Sequence, residues 1–600
     1  MALVTPGQLK ANYDVIVVGS GAGGGQAAYT LTLEGIKVLL LEAGRNYVPE
    51  TETPMFETPD QAPLRAAGTP DKPFGFHDST IDGGWTVPGE PYTSASSDRG
   101  RKFEWWRARM LGGRTNHWGR YSFRNGQYDF KPRSRDGLGF DWPMDYADLA
   151  PYYDKVEMLI GVYGENDGLE NTPDSPPGVL LPAPKPRVND LLFRKHAGRL
   201  GIPVVAAHRA VLTKRLDADR LSAKLHPGNA FAQKHLRAAM EGRAACYWAT
   251  DCGRGCAIRA TYQSTTVHLP PAMASSNLDL VTNAMVREVT TGPDGRASGV
   301  IFFDKTTGRE HRATGRVIVL AASSGETVRL MLNSKSARFP QGLANSSGLV
   351  GKYLMDTVGA SLSGQIPALE NLPPHNEDGA GGAHVYSPWW LYQEQLAGKL
   401  GFARGYHIEV AGGRRLPGMG TARGLEWLTG GSYGRKFKED ARRYYGSIMN
   451  FSGRGDMIPN EDSFCELDPT VKDKWGIPVL RFHWKWSEHE IRQAAHMQQT
   501  FADIVAAMGG RLQQAPEKNG AKAIANGGVI IHEVGGAIMG TAPGKSVTNQ
   551  WSQTWDVPNL FLVDGAPFCS NADKNPTLTI MAQAWRAADH IVSELKQHNL

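Results

Sequence analysis

The chain has 600 residues, of which 41% are hydrophobic and 21% are charged. These proportions are close to the averages of soluble globular proteins, and they exclude a disordered, collagenous or coiled-coil protein. The net charge is only +5 and no stretch is densely packed with Lys and Arg, so the composition argues against a nucleic-acid-binding protein.

The sequence contains no run of 18 apolar residues, and a transmembrane segment is therefore not expected. The first apolar stretch is broken by glycines and has neither a basic region before it nor a cleavage site after it, which argues against a signal peptide. Five cysteines in a chain of this length do not indicate a disulfide-stapled fold.

The first fifty residues contain the pattern of a βαβ unit. A β-branched run at 15–18 predicts a buried strand, and Gly19, Gly21 and Gly24 then match the pattern G-x-G-x-x-G. A second apolar run ends at Glu42, which follows the first glycine at about the 20-residue spacing of a ribose-binding carboxylate.

This unit predicts a dinucleotide site in preference to a glycine-rich turn without a ligand. Glycines let the backbone approach a pyrophosphate, the following helix presents unpaired N–H groups, and the Glu42 carboxylate accepts hydrogen bonds from ribose hydroxyls. An acid at this place argues against a 2′-phosphate, so FAD or NAD fits better than NADP. These residues alone do not distinguish FAD from NAD.

The last seventy residues contain a second informative pattern. Residues 557–563 predict a strand, and the sequence Asn575-Pro576-Thr577 predicts a helix with Asn575 as its N-cap and Pro576 as its first residue. Such a helix start also suits the negative charge that a reduced flavin gains near its pyrimidine ring. Upstream, a β-branched run predicts a strand before His532; by itself, such a histidine is more often a core residue than a catalytic one.

Four separated segments occur in an order and spacing that identify a family. They are the glycine-rich unit, residues 110–118 (MLGGRTNHW), the segment around His532 (VIIHEVGGAIMG) and residues 575–579 (NPTLT). Together they resemble the glucose–methanol–choline (GMC) oxidoreductases over nearly the whole chain, with the middle matched only thinly. Within that family, the segments are most similar to pyranose oxidase and to the flavin subunits of bacterial glucoside 3-dehydrogenases and of gluconate and fructose dehydrogenases.

The resemblance implies an α/β fold. It combines a discontinuous, Rossmann-like FAD-binding domain with a substrate domain built on a mainly antiparallel β-sheet. The FAD-binding domain is expected to comprise residues 1–145, 240–345 (which includes a cysteine-rich loop) and 525–600. Residues 146–239 are expected to form a substrate-side insertion and linker, and residues 346–524 the substrate domain.

The resemblance also implies a catalytic pair. GMC enzymes transfer a hydride from an alcohol carbon to flavin N5 while a base takes the hydroxyl proton. His532 matches the catalytic histidine and Asn575 its partner. An imidazole titrates near neutral pH and suits a general base, whereas an amide can hold the alcohol oxygen without ionising. Asp356 resembles a family position that is more often followed by histidine, and no catalytic role is assigned to it.

Further residues match the cofactor-binding positions of the family. Gly112, Gly113, Thr115 and Asn116 match the segment along the flavin ring. His117 falls where pyranose oxidases carry a histidine bonded covalently to the flavin, but related dehydrogenases keep a His-Trp pair without that bond, and both alternatives stay open. The remaining expected contacts with FAD are Val286, Ala321, Asp564, Gly565 and Thr577.

Three of the five cysteines, Cys246, Cys252 and Cys256, lie within 11 residues. Their spacing lacks a C-x2-C pair, which argues against a structural zinc site. Similar sugar dehydrogenases use a cysteine-rich loop in this region to hold a 3Fe–4S cluster, and three thiolates are enough for such a cluster. Those loops begin with two adjacent cysteines, whereas Tyr247 takes the second place here. Reduced thiols in a surface loop are the alternative.

These observations predict an FAD-dependent dehydrogenase that oxidises a sugar or glycoside ring hydroxyl, at C3, to a ketone. Its expected partners are a small subunit that carries an export signal and a cytochrome or another electron acceptor, which would place the protein in the periplasm; a cytoplasmic location is the alternative. Three rival functions stay open: an oxidase that reduces oxygen to hydrogen peroxide, a flavin-carrying scaffold subunit, and a nicotinamide-dependent dehydrogenase.

Overall fold

The computed structural model describes residues 3–53, 55–58, 60–70, 75–76, 82–248, 255–373, 383–413 and 421–600. The strands, in chain order, are β1 (Tyr13–Val18), β2 (Val38–Leu41), β3 (Gly83–Gly84), β4 (Thr93–Ser94), β5 (Arg107–Ala108), β6 (Val162–Gly164), β7 (Leu181–Pro182), β8 (Val205–Ala206), β9 (Arg209–Ala210), β10 (Leu278–Val281), β11 (Ala284–Thr291), β12 (Ala297–Asp304), β13 (Glu310–Leu320), β14 (Val358–Gln365), β15 (Val385–Ser387), β16 (Tyr406–Gly412), β17 (Ile448–Gly455), β18 (Phe464–Lys472), β19 (Pro478–His483), β20 (Arg511–Leu512) and β21 (Leu560–Leu562).

Helices alternate with these strands through most of the chain, and the α/β class is confirmed. The helices are α1 (Ala22–Leu33), α2 (Pro49–Glu52), α3 (Gln127–Phe130), α4 (Pro132–Asp136), α5 (Tyr146–Ile160), α6 (Val188–Gly198), α7 (Ala218–Leu225), α8 (Ala230–Glu241), α9 (Ser264–Val267), α10 (Leu269–Ala274), α11 (Ser324–Asn333), α12 (Tyr392–Leu396), α13 (Thr421–Thr429), α14 (Gly434–Tyr444), α15 (Glu488–Ala507), α16 (Gly520–Ala523) and α17 (Thr577–Lys596). In the described part of the chain, no helix combines the length and apolar character that crossing a bilayer requires.

The largest sheet has seven strands and unites distant parts of the chain. Its order is β10-β2-β1-β13-β12-β11, and β21 also pairs with β13. The pairs among β10, β2, β1, β13 and β21 are parallel, whereas β12 is antiparallel to both of its neighbours. Because the carboxyl ends of parallel strands lie along one edge of a sheet, the turns after β1, β2, β13 and β21 meet at that edge.

Strand β1 lies in the middle of this sheet and is buried on both faces. Val15 and Val17 belong to one apolar cluster, and Ile16 and Val18 belong to another. Burial on both faces explains why the sequence of β1 is a continuous apolar run instead of an alternating one. Helix α1 starts directly after the turn that follows β1, and it packs against α17.

A second sheet of six strands has the order β20-β14-β17-β16-β15-β8, and all its neighbouring strands are antiparallel. Helix α15 packs closely on one face, where a side chain at Gly453 would collide with Met497. Polar residues of β16 and β17 share the other face, and the register pairs His407 with Arg454 and Glu409 with Ser452. The antiparallel sheet predicted for residues 346–524 is therefore present, and β8 joins it from the segment 146–239.

The C-terminal predictions need two corrections. The predicted strand before His532 is wrong, because residues 528–531 form a turn and a bend whose N–H groups are directed to a side chain. The helix predicted from Asn575 is α17, which begins at Thr577 with Pro576 in the N-cap position. The strand predicted at 557–563 is present as the shorter β21.

Candidate active site

The turn after β1 is shaped by glycines whose neighbours are backbone atoms. Gly19 has φ +98, and a side chain there would collide with the carbonyl group of Ala321. A side chain at Gly24 would collide with the carbonyl oxygen of Gly19. Gly21 differs, because it is the N-cap of α1 and a Cβ atom there would meet no atom within 4 Å. The N-terminus of α1 is therefore exposed on its Gly21 side, where a phosphate would meet unpaired N–H groups.

Glu42 lies at the carboxyl end of β2, beside this turn, and it is buried. Its Oε2 accepts hydrogen bonds from the Ser20 N–H (3.1 Å) and hydroxyl (2.5 Å), and its Oε1 accepts the Gly44 N–H at 2.6 Å. The Ser20 hydroxyl oxygen in turn accepts the Gly112 N–H at 2.8 Å. Glu42 thus ties the glycine turn to residues 112–117, and a carboxylate has lone pairs for further donors such as ribose hydroxyls.

The predicted flavin segment forms a short 3₁₀ turn over Gly113–Asn116 that starts at left-handed Gly112. A Cβ atom at Gly113 would lie 3.6 Å from Gly21 Cα, so this segment borders the N-terminus of α1. The Thr115 hydroxyl donates to the Gly112 carbonyl at 2.6 Å, and the Asn116 amide donates to the Leu111 carbonyl at 2.9 Å. These two side chains stabilise the turn, and the backbone of the two glycines lies toward α1.

His117 contacts an indole ring. The Trp106 Nε1–H donates to His117 Nε2 at 2.9 Å, and the two rings meet edge to face. A side chain at Gly83 would meet His117 Cε1 at 3.1 Å, so the imidazole is closely packed.

The other predicted cofactor residues lie along the same sheet edge. The turn after β13 begins at Ala321, which packs on Gly19 as described above. Burial raises the pKa of Asp564 to about 6, and its carboxylate accepts the Thr327 hydroxyl at 2.5 Å. The N–H of Ala284 donates to the Glu42 carbonyl oxygen at 2.8 Å, which brings the start of β11, two residues before Val286, to the end of β2. A Cβ atom at Gly565 would meet Val534, and Thr577 is the first residue of α17.

The catalytic pair predicted from the sequence is brought together. Asn575 Nδ2 lies 3.2 Å from His532 Nε2. His532 follows the turn at 528–531, and Asn575 precedes α17, so two separate elements supply the pair. Asn575 does not cap the helix as its sequence predicted, because its side chain reaches across to the imidazole instead. Its Oδ1 is buried and makes no hydrogen bond to any described residue.

Asp356, to which the sequence assigned no role, holds the His532 turn. Its carboxylate accepts the N–H groups of Gly528 at 2.8 Å and of His532 at 2.9 Å. Between them, Ile531 has φ +64, a conformation that is unfavourable for a β-branched residue by about 1–3 kcal/mol. The hydrogen bonds to Asp356 therefore stabilise a strained turn that aims the imidazole.

The surroundings of His532 keep its imidazole neutral. Burial lowers the pKa of His532 to about 3; the nearby Arg454 cation acts in the same direction, and Glu409 opposes it. His532 Nδ1 lies 3.1 Å from the Thr357 hydroxyl oxygen. A neutral imidazole has one nitrogen lone pair, so His532 is in the protonation state that a general base requires.

Three ionisable residues of the antiparallel sheet lie next to Asn575. The sequence patterns did not indicate them. Glu409 Oε1 lies 3.4 Å from Asn575 Nδ2 and 3.4 Å from His407 Nε2, and Glu409 Oε2 lies 3.4 Å from Arg454 Nη2. Although burial disfavours the charged forms, Arg454 and His407 lower the pKa of Glu409 to about 2, while Asp573 and Glu409 raise the pKa of His407. No sequence motif marks these residues, because strand pairing alone brings them to the site.

A partly buried ion pair joins the two predicted motifs. The Arg114 guanidinium donates to both carboxylate oxygens of Glu533, at 2.9 and 2.5 Å. This bidentate pair connects the 112–117 segment directly to the residue after His532, and such a pair fixes orientation as well as distance.

The predicted iron–sulfur loop is described only in part. Cys256 is a free thiol, and the sulfurs of Cys246 and Cys256 accept the N–H groups of Trp248 (3.3 Å) and Ala260 (3.2 Å), respectively. Cys252 lies outside the described residues. Within the described residues, no group of three His, Cys, Asp or Glu side chains is arranged to hold a metal ion. The iron–sulfur cluster stays a prediction.

The sequence has relatives among known proteins. The sequence matches the GMC oxidoreductase family in two parts, an N-terminal domain over residues 13–359 and a C-terminal domain over residues 459–584. The chain belongs to the GMC oxidoreductases, which bind FAD. The resemblance inferred from the four segments is thereby confirmed.

Two relatives match the chain over nearly its whole length, and a third matches it over about half. The chain is 30% identical to 2-methyl-1,2-propanediol dehydrogenase of Mycolicibacterium austroafricanum, over 96% of this chain and 95% of that protein. It is 28% identical to the fructose dehydrogenase large subunit of Gluconobacter japonicus, over 97% and 98% of the two chains. It is also 26% identical to C-glycoside 3-oxidase of Arthrobacter globiformis, over 53% of this chain and 54% of that protein.

Proposed function

We propose that this GMC oxidoreductase oxidises a secondary ring hydroxyl of a sugar or glycoside, at C3, to a ketone. The observation that carries the proposal is the 3.2 Å contact between His532 and Asn575, in surroundings that keep the imidazole neutral. The sugar class is supported by the fructose dehydrogenase and C-glycoside 3-oxidase relatives, and the C3 position by the second of these alone.

We infer that FAD is held by the Rossmann-like edge of the largest sheet. The exposed N-terminus of α1 at Gly21 fits a pyrophosphate, and Glu42 is placed to receive ribose hydroxyls. Backbone of Gly112 and Gly113 would run beside the flavin ring. When bound, FAD supplies a two-electron acceptor for hydride at flavin N5.

The residues of this chain would handle the proton. Oxidation would break the C–H and O–H bonds of the alcohol and form the carbonyl bond. The hydride and its electron pair would leave to the acceptor that bound FAD supplies, and the hydroxyl proton would go to His532 Nε2. An Asn575 N–H would donate to the reacting oxygen while negative charge develops there. General-base assistance of this kind contributes typically 10²–10⁴-fold to the rate.

Two routes for the electrons are proposed. In the first, Cys246, Cys252 and Cys256 would hold an iron–sulfur cluster, which would supply an electron relay to a cytochrome, and a small subunit would direct the complex to the periplasm. The fructose dehydrogenase relative is a large subunit, which supports a partner of this kind. In the second, they pass to oxygen and yield hydrogen peroxide, as the name of the C-glycoside 3-oxidase relative suggests. The acyclic diol in the name of another relative is the alternative substrate class.

An anaerobic bleaching experiment tests the proposal. The visible spectrum of the FAD-loaded protein is followed after addition of a glucoside, fructose, gluconate or 2-methyl-1,2-propanediol. We expect a glycoside to bleach the flavin and the product to be the 3-ketone. His532→Ala should bleach at least about 10²-fold more slowly, and His590→Ala, which removes a histidine stacked on Trp551, should match the wild type.

The outcomes separate the alternatives. Bleaching that persists in His532→Ala would contradict the proposed base. If only 2-methyl-1,2-propanediol bleaches the flavin, the substrate is an acyclic alcohol and not a sugar. Iron and acid-labile sulfide in the pure protein would support the cluster route, and stoichiometric hydrogen peroxide from an iron-free preparation would support the oxidase.

A further inference from the structure

The side chain of Asn575 is held by an acid outside the predicted catalytic pair. Asn575 Nδ2 lies 3.4 Å from Glu409 Oε1 and 3.2 Å from His532 Nε2, so one amide nitrogen faces both groups. Glu409 is itself flanked by His407 and Arg454. The Arg454 cation and the facing His407 side chain keep Glu409 ionised, and an ionised carboxylate only accepts hydrogen bonds.

The charge of Glu409 decides which end of the Asn575 amide it contacts. The two ends of an amide are nearly identical in shape, so packing alone does not choose between them. Only the NH2 end can donate to a carboxylate; the carbonyl end would repel it. Asn575 must therefore present its NH2 group to Glu409, and the same group faces His532. The Asn575 Oδ1 accepts no hydrogen bond from a described residue. No donor among those residues therefore favours the opposite orientation of the amide.

The orientation of Asn575 in turn determines the tautomer of His532. Because Asn575 donates, His532 Nε2 must accept, and the imidazole proton resides on Nδ1. There it can donate to the Thr357 hydroxyl oxygen, 3.1 Å away. Asn575 thus donates in two directions, to Glu409 and to His532, and His532 donates in turn to Thr357.

We infer that Glu409 is a positioning residue that fixes the Asn575 amide and, through it, the reactive tautomer of His532. The inference rests on the proposed function of the pair. A substrate oxygen between the two side chains would meet an N–H donor from Asn575 and a lone pair from His532. A flipped amide would offer a carbonyl oxygen instead, which would compete for the hydroxyl proton and repel the developing alkoxide.

The tautomer can be measured without a substrate. Holoenzyme labelled with ¹⁵N-histidine is studied by NMR, and the His532 signals are assigned by their loss in His532→Ala. We expect the wild type to carry its proton on Nδ1 alone, and Glu409→Ala to show a mixture of both tautomers. Glu466→Ala is the matched control, because Glu466 pairs with His483 at 2.9 Å on another sheet; it should leave the His532 signals unchanged.

A rescue experiment tests the role in the reaction. With whichever probe alcohol bleaches the wild type, Glu409→Ala should reduce its flavin about 10²-fold more slowly, as expected for a misplaced catalytic group. Sodium formate should restore part of this rate because it returns an acceptor-only anion, whereas formamide should not. Glu409→Asp, which keeps the charge, should lose less than Glu409→Ala.

The inference and the proposed function can fail separately. A wild-type proton on His532 Nε2, or an unchanged tautomer and rate in Glu409→Ala, would overturn the inference even if alcohols bleach the flavin. If Glu409→Ala does not fold, the wild-type tautomer and Glu409→Asp still decide the question. If no probe alcohol bleaches the wild type, the proposed function fails and the NMR result stands by itself.

Discussion

The carboxylate of Asp356 accepts the backbone N–H of His532 at 2.9 Å, across 176 positions of sequence. Asp356 lies just before β14, which belongs to the antiparallel sheet, whereas His532 lies beside the turns of the largest sheet. The second carboxylate oxygen holds the start of the same turn at Gly528. The candidate base is therefore positioned through its main chain by Asp356, while its imidazole contacts Thr357 and Asn575.

Replacing Asp356 by Asn should destabilise the turn. The amide that replaces one carboxylate oxygen cannot accept, so the N–H of Gly528 or of His532 loses its partner. A buried, unsatisfied donor costs about 1–3 kcal/mol. We expect a lower melting temperature and slower flavin reduction, measured by thermal denaturation and stopped-flow absorbance. The control is Asp304→Asn, because Asp304 accepts the Thr306 N–H in an exposed turn where water can replace it; equal losses in both variants would contradict the prediction.

The same carboxylate should make stability depend on pH. Burial raises the pKa of Asp356 to about 7, and the neighbouring Glu533 carboxylate acts in the same direction. Because an unfolded aspartate has a pKa of about 3.9, the folded protein retains a proton that the unfolded chain releases between these values. The free energy of unfolding should therefore fall as pH rises from about 4 to about 7. The melting-temperature deficit of Asp356→Asn should be largest near pH 4 and smaller near pH 8, and a deficit independent of pH would contradict this.

The pKa of His532 predicts how the rate of flavin reduction depends on pH. Burial lowers the pKa of His532 to about 3, and Arg454 contributes to the decrease. The imidazole is neutral above that value, so flavin reduction should show no acid limb from His532 between about pH 5 and 9. Arg454→Gln removes the cation and should move the acid limb to higher pH, whereas Arg454→Lys should not. A wild-type limb near pH 6.5, the value of an unperturbed histidine, would contradict the burial argument.

Local patterns predicted the parts of the fold that depend on neighbouring residues. The run of β1, the glycines after it and the acid at the end of β2 follow one another within thirty residues, and their periodicity reports burial directly. Asn575 shows where such reasoning fails. Its sequence suits an N-cap, but the tertiary contact with His532 takes its side chain elsewhere.

Glu409 and Asp356 could not be predicted from their own surroundings in the sequence. Glu409 reaches Asn575 across 166 positions, and its place on the sheet depends on the register that pairs it with Ser452. A one-residue shift of that register would turn the carboxylate to the opposite face, toward α15. Strand pairing over long separations is information that a single sequence does not display.

The glycines after β1 should separate cofactor binding from folding. A side chain at Gly24 would collide with backbone, whereas one at Gly21 would meet no protein atom within 4 Å. Gly24→Ala should therefore impair folding. Gly21→Ala should melt like the wild type without FAD but weaken FAD binding by roughly tenfold, about 1.4 kcal/mol, because the methyl group occupies the proposed pyrophosphate position. Titration of apoprotein with FAD measures this, and Gly544→Ala, at an equally open and exposed glycine, is the control. Unchanged affinity in Gly21→Ala would place the pyrophosphate elsewhere.

The contact between Trp106 and His117 bears on how the flavin is attached. The Trp106 indole can only donate, so His117 Nε2 accepts and the imidazole proton lies on Nδ1. A covalent bond to flavin needs an available nitrogen lone pair, which this arrangement does not offer.

We expect acid precipitation of the wild type to release all its FAD into the supernatant, and the mass of the denatured chain to match the sequence. Trp106→Phe removes the donor and is the variant in which a covalent adduct could form, whereas Trp85→Phe, which alters a ring packed on Trp106, should behave as the wild type. Flavin that stays in the wild-type pellet would show that His117 exchanges its indole partner for the cofactor.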